Sequence, residues 1–104
     1  MKLIWEHIAK DQLKEVAGYV RKSFGLNREK QFQQEIRYAT RMLLLNPYMG
    51  ALDPLFSGRS IAYRSILVNR LNKMVYYVDN NDIIHISAFW DCRREPIQQT
   101  KHLE

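Results

Sequence analysis

The spacing of apolar residues changes halfway along this chain, and that change constrains the fold more than any other feature. Leu13, Val16, Ala17, Val20 and Phe24 recur at intervals of three and four, as do Phe32, Ile36, Ala39 and Leu43. Such spacing lines up side chains on one face of an α-helix. Beyond Ser60 the chain turns to runs rich in β-branched and aromatic residues. Ser60–Val68, Lys73–Asp79 and Ile83–Trp90 are separated by the polar turns Asn69–Asn72 and Asn80–Asp82, which predicts three strands in an antiparallel meander. Helices followed by strands, with no alternation of the two, predict an α+β fold: an N-terminal helical hairpin packed on a small antiparallel β-sheet. Both apolar stripes are expected to be buried against one face of that sheet.

Local signals set the expected boundaries. Lys2–Trp5 reads as a short opening strand. Asp11, followed by Glu15, is the expected N-terminal cap of the first helix, and Gly25 its terminator. Asn27 is expected to cap the second helix, which Asn46-Pro47 ends because proline disfavours helical geometry in the residue before it. Pro47 to Gly58 has no clear period and contains Gly50, Pro54 and Gly58, so a loop is expected there.

With 104 residues, 46% hydrophobic and 26% charged, the chain has the composition of a single globular domain. That domain is expected over 1–102, with Leu103-Glu104 reading as a cloning scar. A lone cysteine, Cys92, excludes an intramolecular disulfide and any Cys-based zinc site, and it reads as an unreactive thiol. No two histidines have metal-ligand spacing, so neither a metal nor any other cofactor is expected. The longest apolar run, Met42–Leu45, is far below the roughly 20 residues of a membrane span. The N-terminus lacks the long apolar stretch of a signal peptide. These features predict a cytoplasmic protein without a membrane partner. Sixteen Lys and Arg against eleven Asp and Glu leave a formal charge of +5. The excess is spread along the chain, and it favours an acidic or polyanionic partner.

Three segments carry a resemblance. In Gly58-Arg59-Ser60-Ile61-Ala62-Tyr63-Arg64-Ser65, then Met74-Val75-Tyr76-Tyr77-Val78-Asp79, then Phe89-Trp90-Asp91-Cys92-Arg93-Arg94-Glu95-Pro96, the order and distances resemble the RelE/ParE superfamily of toxins. These toxins belong to type II toxin–antitoxin systems and are often called plasmid stabilisation proteins. The resemblance implies a cognate antitoxin as partner, wrapping a segment over the toxin. It also implies one of two targets. RelE-like members cut messenger RNA in the ribosomal A site as metal-independent endoribonucleases, and ParE-like members poison DNA gyrase without catalytic residues. A degenerate toxin that binds only its antitoxin is the third alternative. Fold does not choose between them.

Under the ribonuclease alternative, Arg64, Lys73 and Arg93 match basic positions of RelE-like members, with His85 as the proton carrier. Cations are required there to steady a pentavalent phosphate, and a titratable group to move the proton. The three cations are expected to converge on the sheet face opposite the hairpin, or at its rim. Arg94, Trp90, Arg59 and Tyr77 are the further candidates for nucleic-acid or partner contact. Two departures weaken the match. Ile66 stands where a second basic residue is expected, and no tyrosine occurs from Ile97 to Glu104. Plainer readings stand beside these: Lys73 as a solubilising strand-edge residue, His85 as a structural histidine without a carboxylate partner nearby in sequence, and Tyr63, Tyr76 and Tyr77 as packing residues. Alternation puts Tyr76 and Tyr77 on opposite faces.

Overall fold

Each apolar stripe becomes one helix, and the link between the two is a single residue. In the computed structural model, which describes residues 1–92, α1 (His7–Phe24) and α2 (Leu26–Leu45) are joined by Gly25 alone. Its φ of 91° suits glycine. The Gly25 amide donates to Arg21 O (2.9 Å) while its carbonyl accepts from the Glu29 amide (3.2 Å), so one residue closes α1 and opens α2. Asn27 therefore lies inside the first turn of α2 and is not its cap.

The start of α1 also differs from expectation. The helix begins at His7, ahead of Asp11, which instead lies one turn inside and pairs with His7 at 3.2 Å. The cause is the strand before it. β1 (Lys2–Trp5) pairs parallel with β5 (Ile83–Asp91), and the Glu6 amide donates to Ile86 O (2.9 Å), fixing where the chain leaves the sheet.

The sheet has five strands in the order β1-β5-β4-β3-β2. β3 (Arg64–Leu67), β4 (Asn72–Val78) and β5 form the expected antiparallel meander, and β1 adds a parallel pair that makes the sheet mixed. The segment read as loop holds a two-residue edge strand, β2 (Ala51–Leu52), and a single 3-10 turn at Pro54–Phe56. Neither is long enough to show a period. Helix α1 packs chiefly on β5 and α2.

The larger core cluster lies between helices and sheet, and a smaller one of Phe56, Tyr63, Val75 and Ala88 lies on the sheet's other face. Phe32, Ile36, Ala39 and Leu43 of α2 and Ala9 and Ala17 of α1 are buried against Met74, Tyr76, Ile84, Ile86 and Phe89. Leu13, Val16 and Val20 are partly buried on the same cluster. Phe24 departs from the expected stripe: it is 65% exposed and meets Tyr19 edge-on at 6.2 Å. As the last residue of α1 it borders a surface groove and does not reach the core. A bulge in β5 decides which of its side chains reach which face. Val75 faces Ala88 but Tyr76 faces Ile86, which leaves Ser87 as the extra residue. Phe89 is thereby turned to the helices, and Trp90, opposite Lys73, to the other face.

Candidate functional site

Strand register decides which candidate side chains can meet. Arg64 faces Tyr76, whereas Lys73 faces Leu67 on one side and Trp90 on the other. Because neighbours along a strand alternate faces, Arg64 and Ile66 share the helix side with Met74 and Tyr76. Lys73, Val75 and Tyr77 lie on the open side. The expected convergence is therefore corrected: Arg64 and Lys73 are on opposite faces. Arg93 and Arg94 lie outside the described residues.

Arg64 is bound to the loop after α2. Its Nη1 donates to Gly50 O at 2.8 Å, and its guanidinium sits 5.2 Å over the Tyr48 ring. The Gly50 amide in turn donates to Tyr76 Oη at 2.9 Å. Burial raises the Tyr76 pKa, opposed by that hydrogen bond and by the charge of Arg64. The close approach needs glycine: a Cβ at Gly50 would lie 2.7 Å from Ser65 O and 2.8 Å from Tyr76 Oη.

Lys73 is neutralised from within. Its Nζ is 2.7 Å from Asp53 Oδ2, and the two side chains are only 13% and 3% exposed. Asp53 also caps the 3-10 turn, where its Oδ1 accepts from the Leu55 amide at 3.0 Å. Burial would raise the Asp53 pKa, but Lys73 and the Leu55 amide together hold it below the ordinary carboxylate value. The solubilising reading of Lys73 gives way to a buried ion pair.

His85 does have a carboxylate partner. Its Nε2 is 2.8 Å from Asp79 Oδ2, while Asp79 Oδ1 accepts from the amides of Asn81 and Ile83 in the β4–β5 turn. The hydrogen bond from His85, and then that from Ile83, lower the Asp79 pKa. Tyr77 stacks flat on the imidazole, with centroids 4.6 Å apart at 6°. Burial, followed by the charges of Glu6 and Asp79, raises the Tyr77 pKa. Chemically the cluster is an oriented imidazole clamped between a carboxylate and a phenol.

The stack continues across the open face. Tyr63 meets Tyr77 edge-on at 5.7 Å, and Phe56 lies 5.3 Å from Tyr63. Arg59 lies 5.8 Å over Phe56. Trp90, a candidate for nucleic-acid or partner contact, is only 7% exposed, so little of its ring is open to a partner. Sequence reasoning missed Asp53, Asp79 and Gly50. Asp53 stands before Pro54 and Asp79 before Asn80-Asn81, both recognisable as Asp-initiated turns. What those carboxylates bind across the fold has no local signal.

A second feature flanks the sheet. A groove of about 840 Å³ lies between α1, the start of α2 and the β3–β4 turn. Val16, Tyr19, Val20, Phe24, Phe32 and Leu71 give it apolar walls, with Glu15, Arg28, Asn69, Asn72 and Asp91 also lining it. Among the described residues no set of three metal-ligating side chains converges, and no helix is long and apolar enough to cross a membrane.

Comparison with known proteins adds the family. The sequence model described as "ParE toxin of type II toxin-antitoxin system, parDE" matches residues 3–96. Among solved structures, one titled "Chromosomal ParDE TA system from P. aeruginosa" is similar with a TM-score of 0.70 at 20% identity. That likeness covers 88% of this chain and 95% of the other. A "YoeB/ParE toxin from Agrobacterium tumefaciens" is similar with a TM-score of 0.60 at 18% identity, covering 88% and 98%. At these identities the likeness speaks for the fold. No curated protein matches the sequence.

Proposed function

This chain belongs to the ParE toxin family of type II toxin–antitoxin systems, and from that premise we propose that it acts by binding a protein target, DNA gyrase, and not by cutting RNA. It is a toxin with an antitoxin as partner, and its place of action is the cytoplasm. One observation carries the choice of target. The ammonium of Lys73 has the Asp53 carboxylate at 2.7 Å, so its charge is already met. A phosphate brought to it would also meet the repulsion of Asp53. Transition-state stabilisation requires donors aimed at the developing charge and not at a resident carboxylate. Arg64 lies on the other face, where one of its N–H groups donates to Gly50 O, so the two cations do not form one patch.

What the toxin does display suits a protein surface. An apolar groove with a polar rim, where Tyr19, Phe24 and Leu71 are exposed, is the material of protein–protein contact. The test is a supercoiling assay with purified toxin, gyrase and relaxed plasmid. Inhibition that the antitoxin reverses is the expected result. Unimpaired supercoiling at a molar excess of toxin would overturn the proposal.

A further inference from the structure

The outer face of the helical hairpin carries cations that no carboxylate answers. On α2, Lys30, Gln34, Arg37 and Arg41 each stand two residues before a member of the buried stripe Phe32, Ile36, Ala39 and Leu43. Two residues turn an α-helix by about 200°, so this row lies opposite the core, and all four residues are exposed. On α1, Lys10, Lys14, Gly18 and Lys22 recur at intervals of four and are likewise exposed. Gly25 folds the two helices back on each other, which brings Lys14 about level with Arg37 and Lys10 with Arg41. The acids near these rows are already engaged: Glu29 with Arg21 at 3.8 Å, Glu35 with Arg28 and Asn69, and Asp11 with His7. Glu15 lines the groove and has a contact of its own within the protein. Among the described residues, no side-chain hydrogen bond or ion pair occupies any of the six cations.

We propose that this face docks against the phosphate backbone of duplex DNA. The proposal rests on the gyrase reading, since gyrase acts on duplex DNA, and it adds a second surface to the protein contact. A solvent-facing helix ordinarily mixes signs at i and i+4. Here Lys10 with Lys14, and Arg37 with Arg41, are like-charged pairs at that spacing. Such pairs oppose the helix, so local stability does not explain them. Gly18 points the same way. Glycine in a helix interior is unfavourable, and nothing within the protein comes within 4 Å of where its Cβ would stand. What it provides is room for another molecule's backbone between Lys14 and Lys22. The rows are about 16–18 Å long, a length over which duplex DNA presents about ten phosphates. Other occupants fit less well. The centres of protein interfaces are depleted of lysine, and a membrane surface would require an apolar stripe that α2 has already buried in the core.

The experiment titrates full-length toxin into a fluorescently labelled DNA duplex of mixed sequence, without gyrase, and follows anisotropy over a range of salt concentrations. Binding should be independent of sequence, with log K falling against log salt at a slope of about −3 to −5. Arg37→Gln and Arg41→Gln should each reduce the size of that slope by about one. Each should leave the melting temperature of the toxin unchanged or higher, because a like-charged pair is gone. Arg70→Gln removes an exposed cation from the β3–β4 turn and should leave the slope as it is. If Arg70→Gln costs as much as Arg37→Gln, net charge alone is at work and the proposal fails. It also fails if duplex RNA of the same sequence displaces the DNA at lower concentration, or if Arg37→Gln weakens binding to the antitoxin and not to DNA. The supercoiling assay separates this surface from the reading it rests on. Gyrase inhibition without DNA binding through this face would keep the gyrase reading and overturn this proposal. Binding through this face with gyrase unimpaired would keep the surface and overturn the gyrase reading.

Discussion

The two faces of the sheet are built by different rules. Beneath the helices, β4 and β5 present Met74, Tyr76, Ile84, Ile86 and Phe89 to two apolar stripes, and burial does the work. On the open face the same strands present Lys73, Tyr77 and His85, held by Asp53, by ring stacking and by Asp79. One face is specified by pattern, so many substitutions of similar size would serve there. The other combines a small apolar cluster of Phe56, Tyr63, Val75 and Ala88 with individual pairs, each of which fails if one member is lost. The difference also bears on function. Charges bound to internal partners hold a surface in shape, whereas charges meant for a phosphate must be free to meet it.

Breaking the first face should give the largest effect. Phe32→Ala, which empties a fully buried ring position, should cost about 3–5 kcal/mol, and Ile36→Ala about 2–5 kcal/mol, by chemical denaturation. Values near zero would place these residues outside the core.

Breaking a pair on the open face should have an effect nearly as large. Lys73→Met leaves Asp53, 3% exposed, without its cation and should cost about 3–5 kcal/mol at pH 7. The double variant Lys73→Met with Asp53→Leu should recover most of that loss. The pH dependence separates this from simple packing. In the wild type Asp53 has a lowered pKa when folded, so its contribution is present above the unfolded value of about 3.8 and disappears as pH falls through the folded value. The gap between wild type and Lys73→Met should therefore narrow as pH falls through the carboxylate range. A gap independent of pH would mean that the charge pair contributes nothing.

Gly50→Ala should cost about 1–3 kcal/mol, because its new methyl would meet Ser65 O and Tyr76 Oη at under 3 Å. The smallest effect is expected at His85. His85→Asn removes the main hydrogen bond that lowers the Asp79 pKa, so Asp79 should titrate closer to the ordinary carboxylate value by NMR. An unchanged Asp79 titration would place its stabilisation in the turn amides alone.

The same contrast explains what could be read in the sequence. The α2 stripe from Phe32 to Leu43 and the meander from β3 to β5 were legible because burial writes a period into the chain. Phe24 matched the period but lies on the groove, since periodicity gives a face and not the length of what covers it. The parallel pairing of β1 had no signal in four residues. The site was less legible. Arg64 and Lys73 were matched by position in a motif, but the register and the partners that decide their roles come from residues far away in sequence. The Ser87 bulge, which sends Trp90 to the open face, is likewise a property of the pairing and not of the strand.

The central proposal, that Lys73 and Arg64 serve the fold and that the toxin acts without cutting RNA, is tested most directly by mapping messenger RNA ends on translating ribosomes after addition of the wild-type toxin. The account predicts an end pattern identical to that without toxin. New cuts at the A site, lost in Lys73→Met at a temperature where that variant is folded, would contradict it.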